Sequence, residues 1–497
     1  MIRAKSTKVT LAALVATIVS GAALLVSLPA LASDLGAGAA AAEAGYENLA
    51  FFSLDRAVRA SATKADPTDF TTAIRLLDQV QARNGLVDLP NYDAELAAAA
   101  PRAKTAEARE AIAHYAFRSI LQRIGAGAAK STWKLLPLVK ANAFYASAAK
   151  GLLAAANTDY ATAKPALRAA ISLATGEKAA FQAELKLARA RALYATGDDA
   201  GAIAEYESLY KIGAPMQDAL IESGWAHLRA KNYVKSIGLG VELATGKLSQ
   251  FFAPEANSIR AISFVENCRY PAARAAIARF SAEYVPVAEW LRLAARGEHS
   301  LYETAIARSE GAIGAETVPE RVWSVWSSSD LFVSLQAGIR AAFAEERDAV
   351  SWIGDQTDAR TKATLAADLK KIPRLRARAA SRIESHLAKL DASMASRIAR
   401  ESERLRFVRI EANQGAGRDL VFRNANPGLK EVEERVAKED RKAKSYRGKL
   451  AWGKVVAEDP STEMWIDEIG SYESTTLDRC KAKARYQADA KNLQASR

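Results

Sequence analysis

Two cysteines in 497 residues are too few for a disulfide-built scaffold or a cysteine-held metal cluster. The four histidines, His114, His227, His299 and His386, lie far apart, and none stands at metal-ligand spacing from another or from a cysteine. His227 reads as lining a groove or packing, not as a ligand. Aromatic residues make up only 7% of the chain, and no stretch alternates β-branched with polar residues, so the signature of a sheet is missing. No Gly-x-Ser-x-Gly elbow occurs. The one phosphate-loop lookalike, Gly125 to Ser131, has Ala129 and Ile124 where the two required glycines would stand, so its backbone cannot cradle phosphates. Asp467 and Glu468 are adjacent, and neighbours on a helix point about 100° apart; they suit a cap or an ion pair better than acid–base work. No catalytic residue, cofactor or metal is expected.

What the chain has in abundance is alanine, leucine, arginine, lysine and glutamate, all good helix formers. The fold class is all-α. The first residues carry Arg3, Lys5 and Lys8, then an apolar run from Leu11 to Leu28, closed by Pro29 and Ala30-Leu31-Ala32. These are the parts of a secretory signal peptide over 1–32, with cleavage after Ala32; an uncleaved anchor is the alternative. No later run approaches an uncharged membrane-spanning length. The expected location is the periplasm. The formal charge is +12, and residues 360–449 hold 24 cations against 12 anions, so this segment carries the excess.

A 34-residue period organises the middle of the chain. Ala190 and Gly224 lie one period apart, as do Ala202 and Ser236; Ala261 and Ala273 repeat the same interval after a slightly longer step. Each unit reads as a helix, a short polar turn and a second helix, with the small residues set where two backbones approach. Such a hairpin cannot bury both faces alone, so neighbours must stack. These units resemble tetratricopeptide repeats, which set small residues at the eighth and twentieth places. The clearest copies are 183–215, 217–250 and 254–286, and Gly151 with Tyr160 and Ala163 suggests a degenerate earlier one. One departure is Gly240, where an aromatic is expected. The resemblance implies an α-solenoid over 69–350 that binds a helix or extended segment of a partner in its groove. Arg189, Trp225 and Arg260 are the candidate groove residues.

Residues 33–68 read as a flexible Ala/Gly-rich leader and a short helix, followed by a helix start at Asp66-Pro67-Thr68-Asp69 with Asp69 able to cap. Leu135 to Ala156 reads as one helix. Trp323 and Trp326 are expected to pack in the core. Over 351–449 a heavily charged stretch carries one apolar stripe, Ile383, Leu387, Leu390 and Met394, continued imperfectly by Ile398, Leu405 and Val408. It suits two long basic, coiled-coil-like helices, the first ended by Gln414-Gly415-Ala416-Gly417, with Val421 and Phe422 in the joining loop.

The closing segment, 450–497, brings aromatic bulk and is expected to pack on the solenoid. Its Trp465-Ile466-Asp467-Glu468-Ile469-Gly470 stretch before Cys480 resembles the end of periplasmic repeat proteins in predatory and gliding bacteria, some of which belong to envelope and gliding machinery. Cys268 and Cys480 are a candidate disulfide in an oxidising compartment, or two separate thiols. The expected function is a non-enzymatic scaffold for other envelope proteins. The alternative is a binder of an anionic envelope polymer or lipid headgroups through the basic helices; an unrecognised cell-wall enzyme comes third. Nucleic acid is not an expected partner, because the address is wrong.

Overall fold

The computed structural model describes residues 34–436 apart from 87–89, 211–215, 245, 298 and 313–316, and beyond them 438, 455–456, 473–474 and 478–495. The expected signal peptide and the Trp465–Gly470 stretch lie outside the described residues. The described chain is all-helical save for a two-residue parallel pairing of β1 (Val455–Val456) with β2 (Glu473–Ser474).

The chain opens on three helices, α1 (Asp34–Glu43), α2 (Glu47–Ser61) and α3 (Thr68–Arg83), each packed on the next. The expected flexible leader is therefore a helix. Alanine is the best helix former, and Gly38 lets Leu54 approach so closely that an added Cβ would lie 2.7 Å from its Cγ. The cap of α3 is also corrected: Asp66 accepts from the backbone N–H and hydroxyl of Thr68, while Asp69 receives Lys64 at 2.8 Å.

Next come α4 (Asp93–Ala99), α5 (Ala106–Gly125), α6 (Leu136–Val139), α7 (Ala143–Ala156) and α8 (Tyr160–Leu173). The single helix expected from Leu135 is broken at Asn142, whose side chain accepts the N–H groups of Phe144 and Tyr145 and so starts α7 afresh. The periodic region gives three pairs: α9 (Gln182–Ala195) with α10 (Asp199–Leu209), α11 (Met216–Arg229) with α12 (Tyr233–Ala244), and α13 (Glu255–Glu266) with α14 (Tyr270–Ala294). Each pair also packs on the next.

Four of these hairpins, counting α7–α8, share one turn. Thr158, Gly197, Lys231 and Cys268 adopt positive φ of 61°, 80°, 60° and 53°. One residue later an N–H returns to a carbonyl five residues back: Asp159 to Ala154, Asp198 to Leu193, Asn232 to His227 and Arg269 to Phe264, at 2.7–3.0 Å. This left-handed cap satisfies the last carbonyls of each first helix and reverses the chain.

The chain then runs through α15 (Leu301–Glu310), α16 (Glu320–Ser328), α17 (Asp330–Gly354) and α18 (Ala359–Leu369) into α19 (Ile372–Ala425), a single helix of 54 residues. Trp326 is fully buried in α16, as expected. The first of the two expected basic helices is corrected: it runs through Gln414–Gly417 and the expected joining loop to Ala425. After a break at Asn426–Gly428, residues 429–436 are helical, the rest of the expected second helix lying outside the described residues apart from 438. Gly415 does not end α19. It lies buried beneath the ring of Tyr270, which would collide with any Cβ there, so glycine provides close approach and Val421 and Phe422 remain helical. A last helix, α20 (Arg479–Ala495), follows.

Helices α17 and α19 tie distant parts together. Glu345 of α17 caps the start of α2, accepting from the N–H groups of Asn48 and Leu49 at 3.1 and 2.8 Å. From α19, Glu384 does the same for α15 through Leu301, Tyr302 and the Ser300 hydroxyl. The stripe on α19 runs through Ile383, Leu387, Met394, Ile398, Leu405, Val408 and Ala412, all buried. Burying each large side chain contributes about 1.5–3 kcal/mol, which docks α19 along this stripe.

Candidate functional site

In the three periodic pairs every small residue expected at a helix crossing is buried: Ala190, Ala202, Gly224, Ser236, Ala261 and Ala273. Ser236 donates to the carbonyl of Gly224 at 3.0 Å, across the hairpin, and its hydroxyl receives Ser263 of the next pair at 3.1 Å. A Cβ on Gly224 would come within 3.0 Å of Ile259, one pair further on. The same residues therefore close each hairpin and set its distance to the next.

The face formed by the first helices of these pairs is the expected groove. At the third pair α19 of the same chain packs on both α13 and α14, and it reaches back to Trp225 of α11. Arg404 stacks on the Trp225 ring, 4.5 Å from its centroid. Arg397 forms a two-pronged pair with Glu255 at 2.8 and 2.9 Å and lies over Phe252. Glu401 is buried among Ser258 and Arg404; burial raises its pKa, and the bonds from Ser258 and the Arg404 charge offset part of that. Arg260 is 6% exposed, buried between α13 and α12. Its stem crosses Gly240, where an added Cβ would be 2.6 Å from Arg260 Cγ. That explains glycine where an aromatic was expected: the long arginine fills the place. Arg189 lies apart from this junction and pairs with Glu205 inside its own hairpin; burial, with Arg168 nearby, lowers its pKa. Thus the three expected groove residues meet different neighbours: Trp225 meets Arg404 of α19, Arg260 packs against Gly240 of α12, and Arg189 stays inside its own hairpin.

Cys268 and Cys480 form a disulfide across 212 residues. Cys268 is the positive-φ residue of its turn, and the N–H of Arg479 adds a bond to the carbonyl of Asn267 at 3.0 Å. The bridge fixes the start of α20 to the tip of the α13–α14 hairpin.

Three polar groupings escape a reading of the sequence. Asp78, His114 and Tyr145 come together from α3, α5 and α7: His114 is 3.3 Å from Asp78 and 2.8 Å from the Tyr145 hydroxyl. Arg118 also meets Asp78. Burial would raise Asp78, but the bonds and charges of His114 and Arg118 hold it below its ordinary value. Tyr145 is 3% exposed while His114 and Asp78 stay partly exposed, and the group ties three helices together. Asp391, on the α19 stripe, accepts from Trp326 Nε1 at 2.8 Å. Burial pushes its pKa up to about 7, against the Trp326 bond. Nothing in sequence spacing marks these partners, which lie 31 to 65 residues apart. The third is a cleft of about 650 Å³ between the starts of α3 and α5, where Arg75, Arg102 and Lys104 face Asp66 and Glu107.

His227 is buried, with Glu207 at 3.6 Å. Among the described residues no cluster of three metal-ligating side chains occurs, and no helix is long and apolar enough to cross a membrane. Comparison with family models, with curated proteins and with solved structures gave no match for this chain.

Proposed function

We propose that this chain is a non-enzymatic scaffold of the tetratricopeptide kind, an α-solenoid that holds other proteins of the cell envelope. The observation that carries the reading is the equivalence of the hairpins: the same small residues at each crossing, the same left-handed turn, and each pair packed on the next. Stacks of this type present long surfaces whose binding faces are set by repeat geometry. Because α19 packs on α13 and α14 and Arg404 covers Trp225, the partner meets other surfaces. Exposed apolar side chains stand at Trp133, between α5 and α6, and at Leu173, at the end of α8, 66% and 41% exposed.

The polymer-binding alternative takes second place on the charges themselves. Lys371, Arg376, Arg397, Arg404 and Arg423 are each engaged with carboxylates of this chain, and charge so neutralised adds little attraction for a polyanion. A periplasmic address rests on the leader alone.

Photo-crosslinking tests the proposal. A photoreactive side chain at Trp133 or Leu173 is expected to capture one discrete protein from native envelopes. Capture at neither position, together with salt-sensitive retention on anionic polymer, would transfer the function to the basic helix.

A further inference from the structure

The far half of α19 has two apolar faces. One, with Leu405, Val408, Ala412 and Gly415, is buried against the rest of the molecule. The other carries Phe407, Ile410 and Val421, exposed by 63%, 54% and 71%. With Gln414 and Gly417 between them, these positions step by three and four, the spacing of a helix–helix seam. Near the end of this face a cleft of about 530 Å³ opens between Gly417, Val421, Phe422 and Ala425 of α19 and Lys483 and Gln487 of α20. The face therefore has an aromatic knob at one end and an open hole at the other, about four turns or 21 Å away.

We propose that this face binds a second copy of the same chain, α19 against α19 in opposite directions about a two-fold axis near Gln414. Reversal places Phe407 of each copy at the Val421 cleft of the other, so both knobs and both holes are used, as an isologous contact requires. Charge selects the same arrangement. Glu411 and Arg418 lie on one edge of the stripe, both exposed, seven residues apart. In an antiparallel pair that edge meets its own reverse, so Glu411 of one copy faces Arg418 of the other on both sides of the axis. Four turns of contact fall at or below the lower end of the roughly 1,200–2,000 Å² that specific interfaces bury, so the dimer is concentration-dependent.

Sedimentation equilibrium on the purified protein tests this. A monomer–dimer equilibrium is expected, with Phe407→Glu or Val421→Glu weakening it by about tenfold or more; both residues are exposed, so the melting temperature should not move. Glu411→Arg alone should weaken the dimer, and Glu411→Arg with Arg418→Glu should restore it, because the exchanged charges again meet opposite signs. Gln414→Cys should give a disulfide-linked dimer, since both native cysteines are already bridged. A protein that stays monomeric to about 200 µM, far above the micromolar affinities of weak specific dimers, would overturn the proposal. So would a dimer indifferent to Phe407→Glu, or a double reversal that fails to restore.

Discussion

The periodic pairs α9–α14 and the long helix α19 bury comparable stripes of apolar residues by opposite means. In the pairs, each contact is made one turn or one period away: Ser236 reaches Gly224, and Gly224 reaches Ile259. Along α19 the partners are far off in sequence and often charged: Arg397 meets Glu255, 142 residues away, and Glu384 caps a helix more than 80 residues before it. Short-range small-residue contacts cost little chain entropy to form, so they can arise hairpin by hairpin. The long helix has no such local support. Its buried Asp391 is accepted because Trp326, 65 residues earlier, donates to it, and its buried Glu401 because Arg404 on the same helix pairs with it. The repeats form a frame that rests on contacts within and between neighbouring hairpins, whereas α19 rests on surfaces that distant parts of the chain supply.

The largest test of this contrast concerns the bridge that joins the frame to the C-terminal helix. Cys480→Ser, or reduction, should lower stability by up to about 5 kcal/mol, the loop-closure value for a span of this size. Denaturant unfolding with and without reductant measures it. If the frame stands independently, much of that loss appears as early release of α20, with the main transition unmoved; one cooperative shift would mean that frame and C-terminal segment unfold together.

A smaller effect tests α19 through Asp391. Its folded value of about 7 lies above its ordinary 3.8. The native protein therefore keeps a proton that the unfolded chain has released between those values. This contribution to stability is fully present below about pH 4 and is lost as pH rises through about 7. Asp391→Asn keeps an acceptor for Trp326 and cannot ionise. Its stability relative to the natural protein should rise with pH across that window, by a few kcal/mol at about 1.4 kcal/mol per pH unit. A pH-independent difference in midpoints would show that the carboxyl ionises freely, and that α19 is less firmly docked than its burial indicates.

The smallest effect belongs to the hairpins. Thr158 is β-branched yet sits at φ 61°, where L-residues pay about 1–2 kcal/mol and glycine does not. Thr158→Gly should raise stability by about 0.5–1 kcal/mol, less the entropy glycine loses on folding. A thermal melt that falls instead would mean that the turn is held by Thr158 side-chain contacts and not by its backbone form.

Much of the frame was legible in the chain: the small residues at Ala190, Ala202, Gly224 and Ser236 stand where two helices must cross, and their spacing needs no knowledge of anything distant. The stripe on α19 was half legible. It looked imperfect because Asp391, Glu401 and Gly415 occupy positions where apolar residues were sought, and each is admitted only by a specific neighbour. Gly415 was misread as a terminator for the same reason, since a glycine that breaks a helix and one that seats a tyrosine look alike until the tyrosine is placed. Among the Ala/Gly-rich residues of α1, the scarcity of large side chains pointed to a loose leader, but alanine favours the helix and Gly38 lets it pack closely on Leu54.

By itself, then, the amino-acid order determined the helical class, the hairpins and the register at which neighbours stack, because those depend on side chains one turn or one period apart. Only the tertiary structure decided that α19 docks on Glu255 and Trp225, that Glu345 caps α2, and that Cys268 is joined to Cys480. Each of these closes a loop of 140 residues or more. No periodicity within one helix records which distant surface its buried face will meet.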